Sequence, residues 1–154
     1  AVGDIHQLCA NLKTYKEKGE RIGKYTLDAN DGFTSMVKFS NGAIGTISNT
    51  RYATGYANTL ILEVFCEKGG VKVEFDDVRN DKWSTLHICE GQNVHEAKWE
   101  KIICDPTPTN FQRFITSIKS NINDQPDFKQ GAKVQKILDM CIKSNDKNQW
   151  VDIN

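Results

Sequence analysis

The sequence predicts an α+β protein: a large, mostly antiparallel open sheet of six or seven strands, with two C-terminal helices packed on one face. Three observations predict it. Apolar and polar residues alternate through the first two-thirds of the chain, an Asn-Gly pair divides two such runs, and beyond Pro108 the apolar period lengthens to that of a helix.

Residues 5–15 carry Leu8, Ala10 and Leu12 on one parity, a half-buried strand pattern. Residues 16–29 are charged and contain glycine, which predicts a loop. In 33–39, Phe33, Val37 and Phe39 share a face opposite Thr34 and Lys38. Asn41-Gly42 follows, a strong hairpin signal because both residue types tolerate positive φ. Residues 43–50 then run back antiparallel, and 52–57 form a loop or bulge around Gly55. From Asn58 a strand carries Leu60, Leu62, Val64 and Cys66 on one face, with Ile61, Glu63 and Phe65 on the other. Apolar groups on both faces predict a central strand covered on each side. Gly69-Gly70 turns the chain into Val71, Val73 and Phe75, and 83–89 and 98–104 complete a meander. Strand–helix–strand alternation is missing, so no parallel nucleotide-binding sheet is expected here.

After Pro108, Thr109 and Gln112 have the spacing of a capping box. Phe111, Phe114, Ile115 and Ile118 follow at helical intervals. If that stripe is buried, Phe114→Ala costs about 3–5 kcal/mol. Pro126 ends the connection. Asp127 and Gln130 cap a second helix with the stripe Val134, Ile137, Leu138, Cys141 and Ile142, and 149–153 form a short closing strand.

A length of 154 residues fits one domain with a real core. Charged residues make up 26% and hydrophobic residues 38%, the balance of an ordinary soluble protein. Twenty basic and twenty acidic side chains cancel, which argues against nucleic-acid and polybasic membrane partners. No apolar run nears the roughly 20 residues of a membrane span, and no signal peptide is visible. The start at Ala1 without Met reads as a cut. The five cysteines, Cys9, Cys66, Cys89, Cys104 and Cys141, are widely spaced and form no C-x-x-C pair. They read as reduced, mostly buried thiols of a cytoplasmic protein, and no zinc site is expected with His6, His87 and His95.

Motifs that carry chemistry are absent: no glycine-rich phosphate loop, no G-x-S-x-G and no H-E-x-x-H. Asp28 and Asp31 read as turn-capping residues rather than paired catalytic carboxylates. His6 reads as a surface strand residue. No catalytic, cofactor-binding or metal-binding residue is expected in this chain.

The stretch from Phe39 to Phe75 resembles the sheet domain of the glucose–fructose oxidoreductase, inositol dehydrogenase and rhizopine-catabolism (Gfo/Idh/MocA) family. Asn41-Gly42 is followed by a small-residue strand ending in Thr50-Arg51, and a glycine loop runs from Ala53-Thr54-Gly55 to Asn58. A strand then enters the turn Glu67-Lys68-Gly69-Gly70. Asn110-Phe111, Phe114, Pro126-Asp127-Phe128, Gly131, Gln135, Ser144 and Trp150-Val151 extend the resemblance over essentially the whole chain. Cys66 stands where the family usually has glycine, which implies ordinary β backbone. Val2 stands four residues before His6, outside the family's D-x-G-x-H pattern, so the family's catalytic role does not pass to His6.

The resemblance implies that residues 1–154 are a single C-terminal sheet domain of a larger two-domain enzyme. An N-terminal Rossmann domain, absent from this chain, holds NAD or NADP. The parent is then an NAD(P)-dependent oxidoreductase acting on a sugar, polyol or related hydroxy compound, and this fragment alone is inactive. One sheet face is the floor of the substrate site and the other joins subunits of a homo-oligomer. Arg51, Tyr52, Thr54, Tyr56 and Asn58 offer donors and acceptors for sugar hydroxyls or an acid group. The alternative reading is a stand-alone ligand-binding or dimerisation sheet without catalysis. A third is a family member that has lost catalysis and serves as a scaffold or sensor.

Overall fold

The computed structural model describes residues 2–15, 21–26, 29–56, 58–76, 85–105 and 107–153. In chain order its elements are β1 (Ile5–Lys13), β2 (Arg21–Ile22), β3 (Tyr25–Thr26), β4 (Gly32–Phe39) and β5 (Ile44–Thr50). Then come β6 (Thr59–Cys66), β7 (Gly69–Asp76), β8 (Thr85–Glu90), α1 (Asn93–Glu96) and β9 (Glu100–Ile103). α2 (Asn110–Ser120), α3 (Phe128–Lys147) and β10 (Val151–Asp152) close the chain. Every strand pair among the described residues is antiparallel, which makes the protein α+β. The chain divides into two compact units, Ala1–Tyr52 with Asn123–Asn154, and Ala53–Ile122.

The first unit holds a four-stranded sheet in the order β10-β1-β4-β5. Its alternation puts Leu8 and Ala10 of β1 and Val37 of β4 on one face. Cys141 of α3 and Val151 of β10 complete the buried cluster, flanked by Leu12, Phe39, Ile137 and Met140. Leu8 is wholly buried, which contributes about 1.5–3 kcal/mol by removal of its side chain from water. The β4–β5 hairpin forms at Asn41-Gly42, but only Gly42 takes positive φ, at 90°. Asn41 instead uses its side chain: Oδ1 accepts from the Ala43 amide at 3.1 Å, and Nδ2 donates to the Val2 carbonyl at 2.8 Å.

β10 pairs with β1 only at Gln7 and Leu8, so the ladder edge beyond needs other partners. α3 supplies them. The Ala10 amide donates to Ser144 Oγ at 3.0 Å, and the Leu12 amide to Asn145 Oδ1 at 2.9 Å. Ser144 is fully buried and donates onward to the Gln149 carbonyl at 2.6 Å. The N-terminus of α3 is capped as its sequence predicts, Asp127 Oδ1 accepting from the Gln130 amide at 2.9 Å. That bond, with further donors from the same turn, holds the Asp127 carboxyl below its ordinary range.

The second unit is a meander in the order β6-β7-β8-β9. Glycine is required at 69, where a Cβ would collide with the Cys89 carbonyl oxygen. α1 is a single turn, and α2 starts with a full capping box: Thr109 Oγ1 accepts from the Gln112 amide while Gln112 Oε1 accepts from the Thr109 amide.

Five readings need amendment, the first being the cysteines: Cys89 and Cys141 are buried, but Cys9 and Cys104 are half-buried and Cys66, on an edge strand, is exposed. The strands form two four-stranded sheets rather than one run, because β5 and β6 share no ladder among the described residues. β6 is an edge strand of its sheet, not a central one; Leu60, Leu62 and Phe65 are exposed. Its two apolar faces record composition, which periodicity cannot convert into cover. Of the two C-terminal helices, α3 packs on β1 and β10, whereas the stripe of α2 is exposed, Phe114 at 63%. The loop at 16–29 contains the short β2–β3 ladder, Arg21 opposite Thr26 and Ile22 opposite Tyr25. Residues 16–20, 27–28 and 83–84, and with them Asp28 and Trp83, lie outside the described residues.

Candidate functional site

β1 and β4 pair with Leu12 opposite Phe33 and Lys13 opposite Gly32, and β4 and β5 pair with Gly32 opposite Thr50. This register brings the end of the first strand, the start of β4 and the end of β5 to one corner of the first unit. Asp31 ties the corner together. Its amide donates to the Lys13 carbonyl at 2.8 Å and its carbonyl accepts from the Arg51 amide at 2.8 Å. Its carboxylate accepts from the Tyr15 amide at 2.8 Å and faces the Arg51 guanidinium at 4.0 Å. The Asp31 side chain is 5% exposed and that of Arg51 71%. The acid is therefore an internal fastener, while most of the guanidinium surface points to solvent.

Tyr52 follows, its amide donating to Thr50 Oγ1 at 3.1 Å, and its ring meets Tyr15 edge-on with centroids 5.4 Å apart. Gly32 permits this crowding: a Cβ there would lie 3.2 Å from the Asn49 carbonyl oxygen and 3.4 Å from the Tyr15 ring. The corner thus presents one guanidinium and two phenols on a backbone fixed from three strands. Such a group can donate to and accept from hydroxyls or a carboxylate.

Of the five residues expected to contact substrate, Arg51 and Tyr52 belong to this corner of the first unit. Thr54, Tyr56 and Asn58 belong to the second. There the Tyr56 amide donates to the Ala53 carbonyl at 3.0 Å around Gly55, whose φ is 88°. All five are exposed. Tyr15 and the fastening role of Asp31 were not legible in the sequence. The only signal for either was the strand register, which places residue 15 beside residue 31.

Three other places carry candidate chemistry. A cavity of about 200 Å³ in the first unit is lined by Leu12, Phe33, Asn49, Leu138, Cys141 and Ile142, among others. It is smaller than the usual small-molecule pocket. Burial pushes the Cys141 thiol up, against a bond to Ser35, so it stays protonated and poorly nucleophilic. In the second unit Lys72 Nζ lies 2.9 Å from Glu74 and 3.7 Å from Glu63, and His87 Nε2 lies 3.5 Å from Glu74. Lys72 holds the Glu74 carboxyl down, and Glu74 in turn raises the Lys72 ammonium. His6 is exposed at a β-bulge in β1, its carbonyl accepting from the Ile153 amide at 2.8 Å. Cys66 sits in β6 with ordinary backbone.

Among the described residues no group of three or more His, Cys, Asp or Glu could hold a metal ion. None of the described helices is long and apolar enough to cross a membrane. A dinucleotide cradle needs a parallel strand, a glycine turn and a helix N-terminus. The described residues do not fit it: their strands are antiparallel, and α2 and α3 are capped by Thr109 and Asp127 without a glycine turn.

Residues 2–153 match the family described as "Oxidoreductase family, C-terminal alpha/beta domain". Levoglucosan dehydrogenase of Pseudarthrobacter phenanthrenivorans is 24% identical over 88% of this chain and 39% of its own length. The structure of levoglucosan dehydrogenase in complex with NADH and levoglucosan superposes with a TM-score of 0.78 at 24% identity, over 99% of this chain and 46% of that one. The WlbA dehydrogenase from Bordetella pertussis, in complex with NADH and UDP-GlcNAcA, gives 0.67 at 19% identity, over 99% and 40%. The chain therefore spans less than half the length of the relatives it matches.

Proposed function

The chain belongs to the Gfo/Idh/MocA oxidoreductase family as its C-terminal alpha/beta domain, and from that premise we propose that it is the substrate-side domain of an NAD(P)-dependent sugar or polyol oxidoreductase. The observation that carries this reading is the family match over residues 2–153, set beside relatives more than twice as long. Residues 1–154 act as one C-terminal domain, and a Rossmann domain outside this chain holds NAD or NADP. The dinucleotide supplies the hydride acceptor, and hydride transfer then depends chiefly on how the hydroxyl-bearing carbon is held. Sugars named with the relatives, levoglucosan and UDP-GlcNAcA, support a hydroxyl-rich substrate.

In this reading the sheet of the first unit is a rigid floor. Arg51 donates to substrate oxygens from a backbone fixed by Asp31, and the phenols of Tyr52 and Tyr56 orient hydroxyls. Thr54 and Asn58 of the second unit offer further donors and acceptors. The sheet also joins subunits into a homo-oligomer, and the protein works in the cytoplasm.

Two measurements test the proposal. Isothermal titration of this chain with NADH and with NADPH is expected to give no binding; saturable binding of either would overturn the division of labour. In the full-length enzyme, Arg51→Ala and Tyr56→Phe should lower turnover or raise KM while the fold persists, since both side chains are exposed. Unchanged kinetics for both would remove this loop from the site.

A further inference from the structure

Tyr15 and Tyr52 are 57% and 52% exposed, and a single tyrosine scattered on a surface needs no explanation. Tyr15 differs because it is fixed from several sides. Its amide donates to Asp31 Oδ2 at 2.8 Å, and Thr14 beside it donates from Oγ1 to the Ala29 carbonyl at 3.4 Å. One ring edge rests over bare Gly32, where a Cβ would lie 3.4 Å from Tyr15 Cε2. The Tyr52 ring stands at 76° to it. A tyrosine held in this way offers rigid contact area and loses little conformational freedom when a ligand arrives.

The Asp31 carboxylate joins this aromatic wall to the cation. While Oδ2 holds the Tyr15 amide, Oδ1 faces Arg51 Nη1 at 4.0 Å, so one buried group reaches both partners. The backbone adds a second tie, the Asp31 carbonyl accepting from the Arg51 amide at 2.8 Å. Neutralising the carboxylate would release the guanidinium from its direction while leaving that backbone bond in place. Asp31 therefore sets how the Tyr15 ring and the Arg51 head stand to one another.

We propose that Tyr15 is a specificity-determining residue of the substrate site, its ring taking the C–H face of a cyclic substrate while Arg51 holds the oxygens, and that Asp31 is the positioning residue that sets the two. The proposal rests on the reading above that Arg51 contacts substrate. A hydroxyl-bearing ring has two chemically distinct surfaces. Its rim carries oxygens, which a guanidinium binds as a donor. Its faces carry C–H groups polarised by those oxygens, and these suit the negative face of an aromatic ring. Arg51 alone cannot tell a ring from an open chain, since both offer hydroxyls. A flat wall can, because an open-chain polyol must freeze its torsions to lie against it. Tyr52 closes a second side of the corner, so the substrate ring is located as well as recognised.

The test uses the full-length enzyme with NAD and NADP, and a panel of cyclic sugars and inositols beside open-chain alditols, each measured as substrate or as competitive inhibitor. Tyr15→Ala should raise KM for the cyclic members about three- to tenfold and move the open-chain values by less than about twofold, with kcat little changed. Tyr15→Phe, which keeps the ring, should recover most of that loss. Asp31→Asn keeps an acceptor for the Tyr15 amide but removes the charge, and should lower kcat/KM about two- to fivefold. In an Arg51→Ala background it should add nothing further, as expected of a residue that acts through Arg51. A loss shared equally by rings and chains, turnover confined to open chains, or an Asp31→Asn effect that adds to Arg51→Ala overturns the proposal while Arg51 stays in the site. Should Asp31→Asn fail to fold, the Tyr15 comparison decides the matter alone. Unchanged kinetics for Arg51→Ala, or no turnover of any panel member, overturns the reading beneath it as well.

Discussion

The two units carry sheets of equal strand number and opposite completeness. In the first, α3 lies on β1, and Leu8, Ala10, Val37, Cys141 and Val151 form a buried cluster. In the second, Cys89 is the one buried hydrophobic residue among those described, and Leu60, Leu62, Phe65, Ile103 and the α2 stripe are exposed. Sequence hydrophobicity alone does not separate them. What separates them is whether the chain itself supplies the cover. A sheet that keeps apolar side chains bare has the composition of a contact surface rather than of a finished core, and the second unit has that character.

The largest break in the comparison comes from Leu8→Ala. It opens a cavity under α3 and should cost about 2–5 kcal/mol, read from the urea midpoint of this chain. Next is Ser144→Ala, which strands the Ala10 amide and the Gln149 carbonyl. A loss of about 1–3 kcal/mol is expected, with faster hydrogen exchange at the Ala10 amide. Smallest is Phe114→Ala in the second unit. Because that ring is exposed, the change should fall within about 0.5 kcal/mol, in place of the larger penalty a buried stripe would bring. A large loss there would mean that the α2 stripe is covered and that the contrast between the units is false.

Local chemistry was legible before any coordinates. The pairs Thr109–Gln112 and Asp127–Gln130 are caps whose partners lie three residues apart, so sequence spacing contains the whole interaction. The Asn41-Gly42 turn was equally plain. Asn41, however, stays out of the left-handed region because its side chain satisfies Val2 and Ala43 instead. Strand alternation located β1, β4, β6 and β7, but it could not say which face would be covered, and β6 was misread for that reason. The candidate site was legible only as residue types in a loop. Its support by Asp31 and Tyr15 depends on pairing between strands some twenty residues apart, which no local pattern encodes. Ser144 looked like one more polar helix residue, although it closes the ladder of a strand near the opposite end of the chain.

That closure has a consequence for how the molecule is made. Ala10 leaves the ribosome 134 residues ahead of the hydroxyl that receives its amide. At roughly 5–20 residues per second, β1 spends on the order of ten seconds as an open strand edge. A nascent chain halted or clipped short of Ser144 would retain that edge indefinitely, the state most prone to pairing with a stranger.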